Sequence, residues 1–275
     1  DNAGISISSA GDVNGDGYAD MIVGAFAGDD GGSNAGEAYV IFGTDQGFGT
    51  NVSGRQVIDL TFLAPEEGFL IQGDEANDRL GGSVSSAGDI NGDGIADMMI
   101  GAHFAGPNAD GDPGATYVIF GSDTSPAPNG QDFNLADIDG TNGFVLTGID
   151  QYDNSGWSIA AAGDVNGDGF ADVIVGARSA SPNSNIASGA SYVVFGKTDG
   201  GVIELSDIET ATSGGFVING VGGNDLSGQS VSAAGDVNND GLADLLVGAY
   251  QGDPNGTSSG ESYVIFGKTD FAGVN

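Results

Sequence analysis

A nine-residue acidic loop occurs four times in this chain: Asp12-Val-Asn14-Gly-Asp16-Gly17-Tyr18-Ala-Asp20, then 89–97, 164–172 and 236–244. Each copy reads D-x-N-x-D-G-x-x-D, which sets oxygen-bearing side chains at positions one, three, five and nine around a glycine turn. Oxygen donors at that spacing suit a hard cation. Calcium is the natural occupant, because it accepts a flexible shell of carboxylate, amide and carbonyl oxygens. In the first loop the expected ligands are the side chains of Asp12, Asn14, Asp16 and Asp20 with the carbonyl of Tyr18. The second loop offers Asp89, Asn91, Asp93 and Asp97 with the carbonyl of Ile95. The third offers Asp164, Asn166, Asp168 and Asp172 with Phe170, and the fourth Asp236, Asn238, Asp240 and Asp244 with Leu242. About four ions per chain are expected. An EF-hand would need a bidentate acidic ligand at position twelve and flanking helices. Here position twelve is Val23, Ile100, Val175 and Val247. A metal-free turn is the plainer alternative, since Asp, Asn and Gly favour turns, but four complete ligand sets argue for the metal.

The elements that must position these loops recur in fixed order. Before each loop stands a run of small residues, such as Ser6-Ile7-Ser8-Ser9-Ala10 and Ser83-Val84-Ser85-Ser86-Ala87. After it comes an apolar run ending Gly-Ala, such as Met21–Ala25 and Val173–Ala177. A variable polar stretch then leads to Tyr-Val-Ile/Val-Phe-Gly at 39–43, 117–121, 192–196 and 263–267, and a fourth apolar run occupies 68–73, 143–148 and 215–220. Runs of this length, bounded by glycine and rich in β-branched and aromatic residues, predict four strands per repeat. Their apolar residues are consecutive, so both faces should be buried. Four-stranded antiparallel blades stacked around an axis meet that demand, and the fold predicted is an all-β β-propeller. A parallel β-helix has much shorter repeats. The loops are spaced by 77, 75 and 72 residues, which marks a single repeat array over 1–275. Its approximate repeats are 1–73, 74–148, 149–220 and 221–275, the last without a fourth strand. The array is either part of a larger propeller or a four-bladed ring. Inserts of roughly twenty residues between third and fourth strands, around Ile58, Leu135 and Ile203, predict an extra strand or turn on the rim.

Composition narrows the partners. Formal charge is −34, with 39 acidic residues against five basic ones, a balance that repels nucleic acid and anionic membranes. No apolar run approaches the roughly 18 residues needed to span a bilayer. The absence of cysteine removes disulfides and thiolate zinc sites. Reliance on calcium suits an extracellular or cell-surface setting, with a bacterial source expected. The first residue is Asp1, which reads as a processed chain or an excised segment.

These motifs resemble the FG-GAP repeat family, the blade type of the integrin α-subunit head and of large bacterial surface proteins. The resemblance spans all four repeats. Val23-Gly24-Ala25-Phe26, Ile100-Gly101-Ala102-His103, Val175-Gly176-Ala177-Arg178 and Val247-Gly248-Ala249-Tyr250 occupy the family's Gly-Ala-Pro position, all without the proline. Gly4-Ile5-Ser6, Gly81-Gly82-Ser83, Gly156-Trp157-Ser158 and Gly228-Gln229-Ser230 stand where the family has Phe-Gly. The segment 189–197 looks like the secreted bacterial branch. The resemblance implies calcium held in the hairpin between the first and second strands, and an adhesion role.

Catalysis needs unlike groups gathered at one place. With one histidine, no cysteine and aspartates assigned to calcium, no catalytic or cofactor-binding residue is expected. His103 reads as incidental, and Trp157 as either a sugar-stacking or an interblade residue. Tyr39, Tyr117, Tyr192 and Tyr263 read as packing, and Asp1, Asp78, Asp153 and Asp225 as either an extra metal ligand or a side chain closing a loop onto its own backbone. The expected function is a calcium-stabilised module binding a protein or glycan. The alternative is a structural spacer or filament component that self-assembles or joins neighbouring domains. Partners are expected on the face opposite the acidic loops, where 27–35, 104–113, 179–188 and 251–259 vary most. Asp29, Asp30, Asp110, Asp112 and Asp253 give that face an acidic character, expected to have almost no lysine or arginine to balance it.

Overall fold

The computed structural model describes residues 1–106, 112–124, 132–198, 204–210 and 214–270. Asp110 and Ile203 lie outside the described residues.

Each repeat folds as an antiparallel blade. The first comprises β1 (Ser6–Gly11), β2 (Asp20–Ala25) and β3 (Glu37–Ile41), then a small hairpin of β4 (Thr50–Val52) and β5 (Arg55–Val57), and β6 (Gly68–Gln72). The second comprises β7 (Ser83–Gly88), β8 (Asp97–Ala102), β9 (Ala115–Ile119), the short β10 (Asp132–Asn134) and β11 (Gly143–Thr147). The third comprises β12 (Ser155–Gly163), β13 (Asp172–Ala177), β14 (Ala190–Val194), helix α1 (Leu205–Glu209) and β15 (Gly215–Asn219). The fourth holds β16 (Ser227–Gly235), β17 (Asp244–Ala249) and β18 (Glu261–Ile265), a three-stranded sheet among the described residues.

The three inserts differ in structure. The first forms the β4–β5 hairpin and the third helix α1. In the second, β10 pairs in parallel with β6. The extra strand therefore sits on the rim of the preceding blade and makes its sheet five-stranded. Phe133 and Leu135 are buried in the core between the first two blades.

The first strands pack on one another in series, β1 on β7, β7 on β12 and β12 on β16, which explains their serine and alanine content. Three apolar cores fill the junctions between consecutive blades. In the interior, β8, β9, β13 and β14 are buried along their whole length, as the consecutive apolar residues predict. At the ends the expectation fails. β1 alternates in exposure and so does β18, because no blade covers their outer faces. Ile5, Ile7 and Met21 are exposed at one end, and Val237, Leu246, Val264 and Phe266 at the other. Among the described residues the outer faces of the first and fourth blades are uncovered, so these two blades do not pack on each other as they would in a closed four-bladed ring.

Candidate metal centre

A glycine bulge opens each acidic loop. Register shifts fall between Ser9 and Gly11, Ser86 and Gly88, Ala161 and Gly163, and Ala233 and Gly235. Gly11 has φ +86° and its equivalents are similarly left-handed, a conformation glycine adopts without strain. The bulge turns the chain out of the strand and into the loop.

Within the first loop, Asp16 N donates to Asp12 Oδ1 and to Asn14 Oδ1, each at 3.0 Å. Gly17 N donates to Asp12 Oδ2 at 2.9 Å and Tyr18 N to Asp16 Oδ1 at 2.9 Å. The Asn14 amide donates to Asp16 Oδ2 at 3.0 Å. The same bonds recur in the other loops around Asp93, Asp168 and Asp240. Side chains at positions one, three and five are thus gathered on the loop's own amides. In the first loop each of these oxygens keeps a lone pair beyond the bond described, whereas Oδ1 of Asp89 and of Asp164 accepts a second backbone bond, from Gly92 N and Gly167 N.

The ninth residue behaves differently. Asp20 Oδ2 accepts from Val13 N at 2.8 Å, and Oδ1 accepts from Gly43 N at 2.7 Å. Asp97 takes Ile90 N and Gly121 N, Asp172 takes Val165 N and Gly196 N, and Asp244 takes Val237 N and Gly267 N. These four carboxylates are buried. Each ties the loop to the end of the third strand across the blade, a role the sequence reading did not foresee. Consistent with it, the described residues contain no cluster of three or more His, Cys, Asp or Glu side chains gathered to hold a metal. Burial pushes the carboxyls of Asp97 and Asp172 up to about 7; their backbone bonds offset part of this, and nearby loop aspartates add to it. Asp20 is raised for the same reasons. The donor chemistry fits a divalent cation: all-oxygen ligands, convergent at positions one, three and five, crowded by like charge at position nine.

The loops also pack in series. A side chain on Gly92 would meet the ring of Phe170, and one on Gly167 would meet Leu242. The seventh residue of one loop therefore covers the fourth residue of the loop before it. Tyr18 has no preceding loop and is exposed.

The opposite face carries more chemistry than its sequence suggested. The Arg79 guanidinium lies 4.8 Å from the Phe104 ring and 5.7 Å from Phe26. Arg178 lies 3.2 Å from the Trp157 ring, which meets His103 edge-on at 4.7 Å. Two of the five basic residues thus stand on the face expected to lack them. Trp157 is an interblade residue. His103, read as incidental, is buried within this stack, and burial with the two arginines lowers its pKa to about 4.

Asp153 and Asp225 accept from backbone amides three residues earlier, at 3.1 Å in each case, as expected of loop-closing side chains. Tyr39 donates to Glu37 Oε2 at 2.6 Å, and Tyr263 donates to Glu261. The third blade has Ala190 at the glutamate's position. Its buried Tyr192 lines a cleft of about 210 Å³ shared with Asp150, Asp153 and Glu209.

Comparison with known proteins matches the FG-GAP repeat model at residues 3–41, 81–119, 155–194 and 227–265, the first three strands of every blade. Phosphatidylinositol-glycan-specific phospholipase D of Bos taurus is 34% identical over 177 residues, covering 63% of this chain and 18% of that protein. Integrin alpha pat-2 of Caenorhabditis elegans is 32% identical over 182 residues, covering 62% and 13%. Integrin alpha-5 of Xenopus laevis is 30% identical over 190 residues, covering 66% and 16%. The matched region is less than a fifth of the length of each of these relatives.

Proposed function

The chain belongs to the FG-GAP repeat family, and from that premise we propose that it is a calcium-stabilised binding module of the cell exterior. The observation that carries the reading is the fourfold recurrence of one oxygen-donor arrangement on one face of the array. In each loop, positions one, three and five hold the ion through side-chain oxygens. The seventh residue supplies its carbonyl and the ninth the remaining carboxylate. The ion supplies positive charge, which relieves repulsion among three aspartates in a nine-residue turn. The chain's own part is rigidity: the ninth carboxylate fastens the loop to the third strand, so the loop is positioned before any ion arrives.

Binding then falls to the opposite face, where variable loops are carried on stiff blades. A basic or metal-bridged protein or glycan partner suits the acidic cleft of Asp150, Asp153 and Glu209. Catalysis is not part of the proposal. The phospholipase relative is an enzyme by name, but the match covers 18% of it.

Metal analysis of the purified chain, with thermal melts in calcium and after chelation, tests the proposal. About four ions per chain and a lower melting temperature on their removal are expected. A chain free of calcium whose melt ignores chelator would overturn it. Replacing loops 27–35 and 104–113 by neutral sequence should abolish partner capture while calcium content stays constant. Capture that survives those grafts, and fails on changing the inserts, puts the partner on the other face.

A further inference from the structure

The first three acidic loops are each built partly by the blade that follows. The N–H of a loop's eighth residue shares one peptide unit with the carbonyl of the seventh, the carbonyl expected to face the ion. At all three junctions that N–H reaches back to the loop before. Ala96 N donates to the Asp12 carbonyl at 3.1 Å, Ala171 N to that of Asp89 at 3.2 Å, and Ala243 N to that of Asp164 at 2.9 Å. The acceptor is always the first residue of the preceding loop, itself an expected ligand. In a planar trans peptide the C=O and N–H point opposite ways, so a single rigid unit serves two loops at once. A second backbone bond runs alongside it. Ser122 N, Lys197 N and Lys268 N donate to the carbonyls of Val13, Ile90 and Val165, each at 2.9 Å.

The seventh side chain adds a cover over the fourth residue of the preceding loop, and its closeness differs between junctions. A Cβ on Gly92 would overlap the Phe170 ring, and one on Gly167 would come within 3.0 Å of Leu242 Cδ2. One on Gly15 would meet Ile95 Cδ1 at an ordinary 3.8 Å. The first ligand responds in step. Under the close covers, Gly92 N donates to Asp89 Oδ1 at 2.7 Å and Gly167 N to Asp164 Oδ1 at 2.6 Å. Under Ile95, Gly15 N makes no such bond among the described residues, and Asp12 Oδ1 accepts from Asp16 N. The glycines themselves do not account for the difference, because their φ values are alike at +70°, +77° and +79°.

Resting on the calcium reading above, we infer that Phe170 and Leu242 are positioning residues for the metal site of the blade before their own, and that neighbouring loops fill cooperatively. Neither side chain carries an oxygen for the ion. Each presses on the glycine whose amide sets the first carboxylate, and so prepares a site to which it supplies no ligand.

The coupling follows from the shared peptide. Positive charge at the Phe170 carbonyl polarises that peptide and strengthens its N–H bond to Asp89. It also fixes the backbone that carries the ring over Gly92. The second loop then has less freedom left to lose when its own ion binds. Linkage makes the effect mutual, so filling the second loop favours the third by the same factor.

Calcium titration of the isotope-labelled chain, followed by amide NMR, tests this loop by loop. Gly94 N and Gly169 N donate to Asp89 Oδ2 and Asp164 Oδ2 at 2.9 and 3.0 Å, so their signals report the second and third loops. Phe170→Ala should raise the calcium concentration that half-fills the second loop about fivefold, the lower end of coupling between sites, and leave the third loop where it was. Phe170→Leu, which installs the residue type of Leu242, should recover most of the loss. Asp168→Ala, which empties the third loop, should shift the Gly94 curve by a similar factor. Leu242→Ala repeats the test one junction on, moving Gly169 and not Gly241. A Gly94 curve indifferent to Phe170→Ala overturns the positioning role, and equal shifts at Gly94 and Gly169 overturn it as general loosening of the blade. A Gly94 curve indifferent to Asp168→Ala overturns cooperative filling. Glycine signals that ignore calcium in the parent overturn the calcium reading itself, a failure distinct from intact binding with uncoupled curves.

Discussion

Asp97 offers the sharpest test of how each acidic loop is built, because the structure gives its ninth residue work that does not depend on a metal. Its carboxylate accepts from Ile90 N and Gly121 N, both at 2.9 Å, and it is fully buried. Asp97→Ala leaves two buried amides without acceptors, each costing about 1–3 kcal/mol. Part of this is returned, since burial holds the carboxyl near 7 and its ionised form is disfavoured in the metal-free protein. A net loss of about 2–4 kcal/mol is expected in chelator. Asp97→Asn keeps one acceptor and should lose about half as much. At about 2–4 °C per kcal/mol for chains of this size, the alanine variant melts roughly 10 °C lower. Asp93→Ala supplies the contrast. Asp93 lies in the exposed part of the loop, accepting from Ile95 N and the Asn91 amide. Its loss should remove one calcium ion and lower the melt only when calcium is present. Calorimetry of both variants, with calcium and after chelation, reads the difference. If Asp97→Ala melts like the parent in chelator, the clamp does not contribute. If Asp93→Ala costs as much in chelator as in calcium, the division between ligand and clamp is wrong.

Gly101→Ala should destabilise the second junction by about 3 kcal/mol or more, because backbone of the next blade occupies the space; a melt within error of the parent would contradict that packing. Trp157→Ala should cost about 3 kcal/mol through lost interblade packing and the Arg178 stack, and a cost below about 1 kcal/mol would show the ring to be peripheral. For pH, Asp78, Asp97 and Asp172 are raised to about 7 and Asp153 to about 6, by burial first. Groups raised in the folded state contribute stability present below about 4 and lost as pH rises through 6–7. His103, lowered to about 4, acts in the opposite sense between 6.5 and 4. Four against one, metal-stripped protein should melt higher at pH 5.5 than at pH 7.5, and calcium should narrow the gap; a stripped protein that melts lower at pH 5.5 would reverse the sign.

The repeats, the blades and the gathering of oxygen-bearing side chains at positions one, three and five were legible in the sequence, because those properties are local. A nine-residue loop needs only its own spacing to gather Asp12, Asn14 and Asp16, and a glycine-bounded apolar run needs only its own length to be a strand. What the sequence could not decide depends on neighbours distant along the chain. The bond from Gly43 N to the Asp20 carboxylate needs the third strand to place the amide, and nothing within the nine-residue loop announces it. Phe133 reads as a rim residue of its own repeat, yet β10 pairs with the blade before it. His103 and Arg178 are unremarkable until Trp157 is set between them. The consecutive apolar residues that announced burial on both faces are the same in the end blades as in the middle ones. Only the three-dimensional stacking decides which faces are covered, because a blade's burial is set by the blade beside it and not by its own residues.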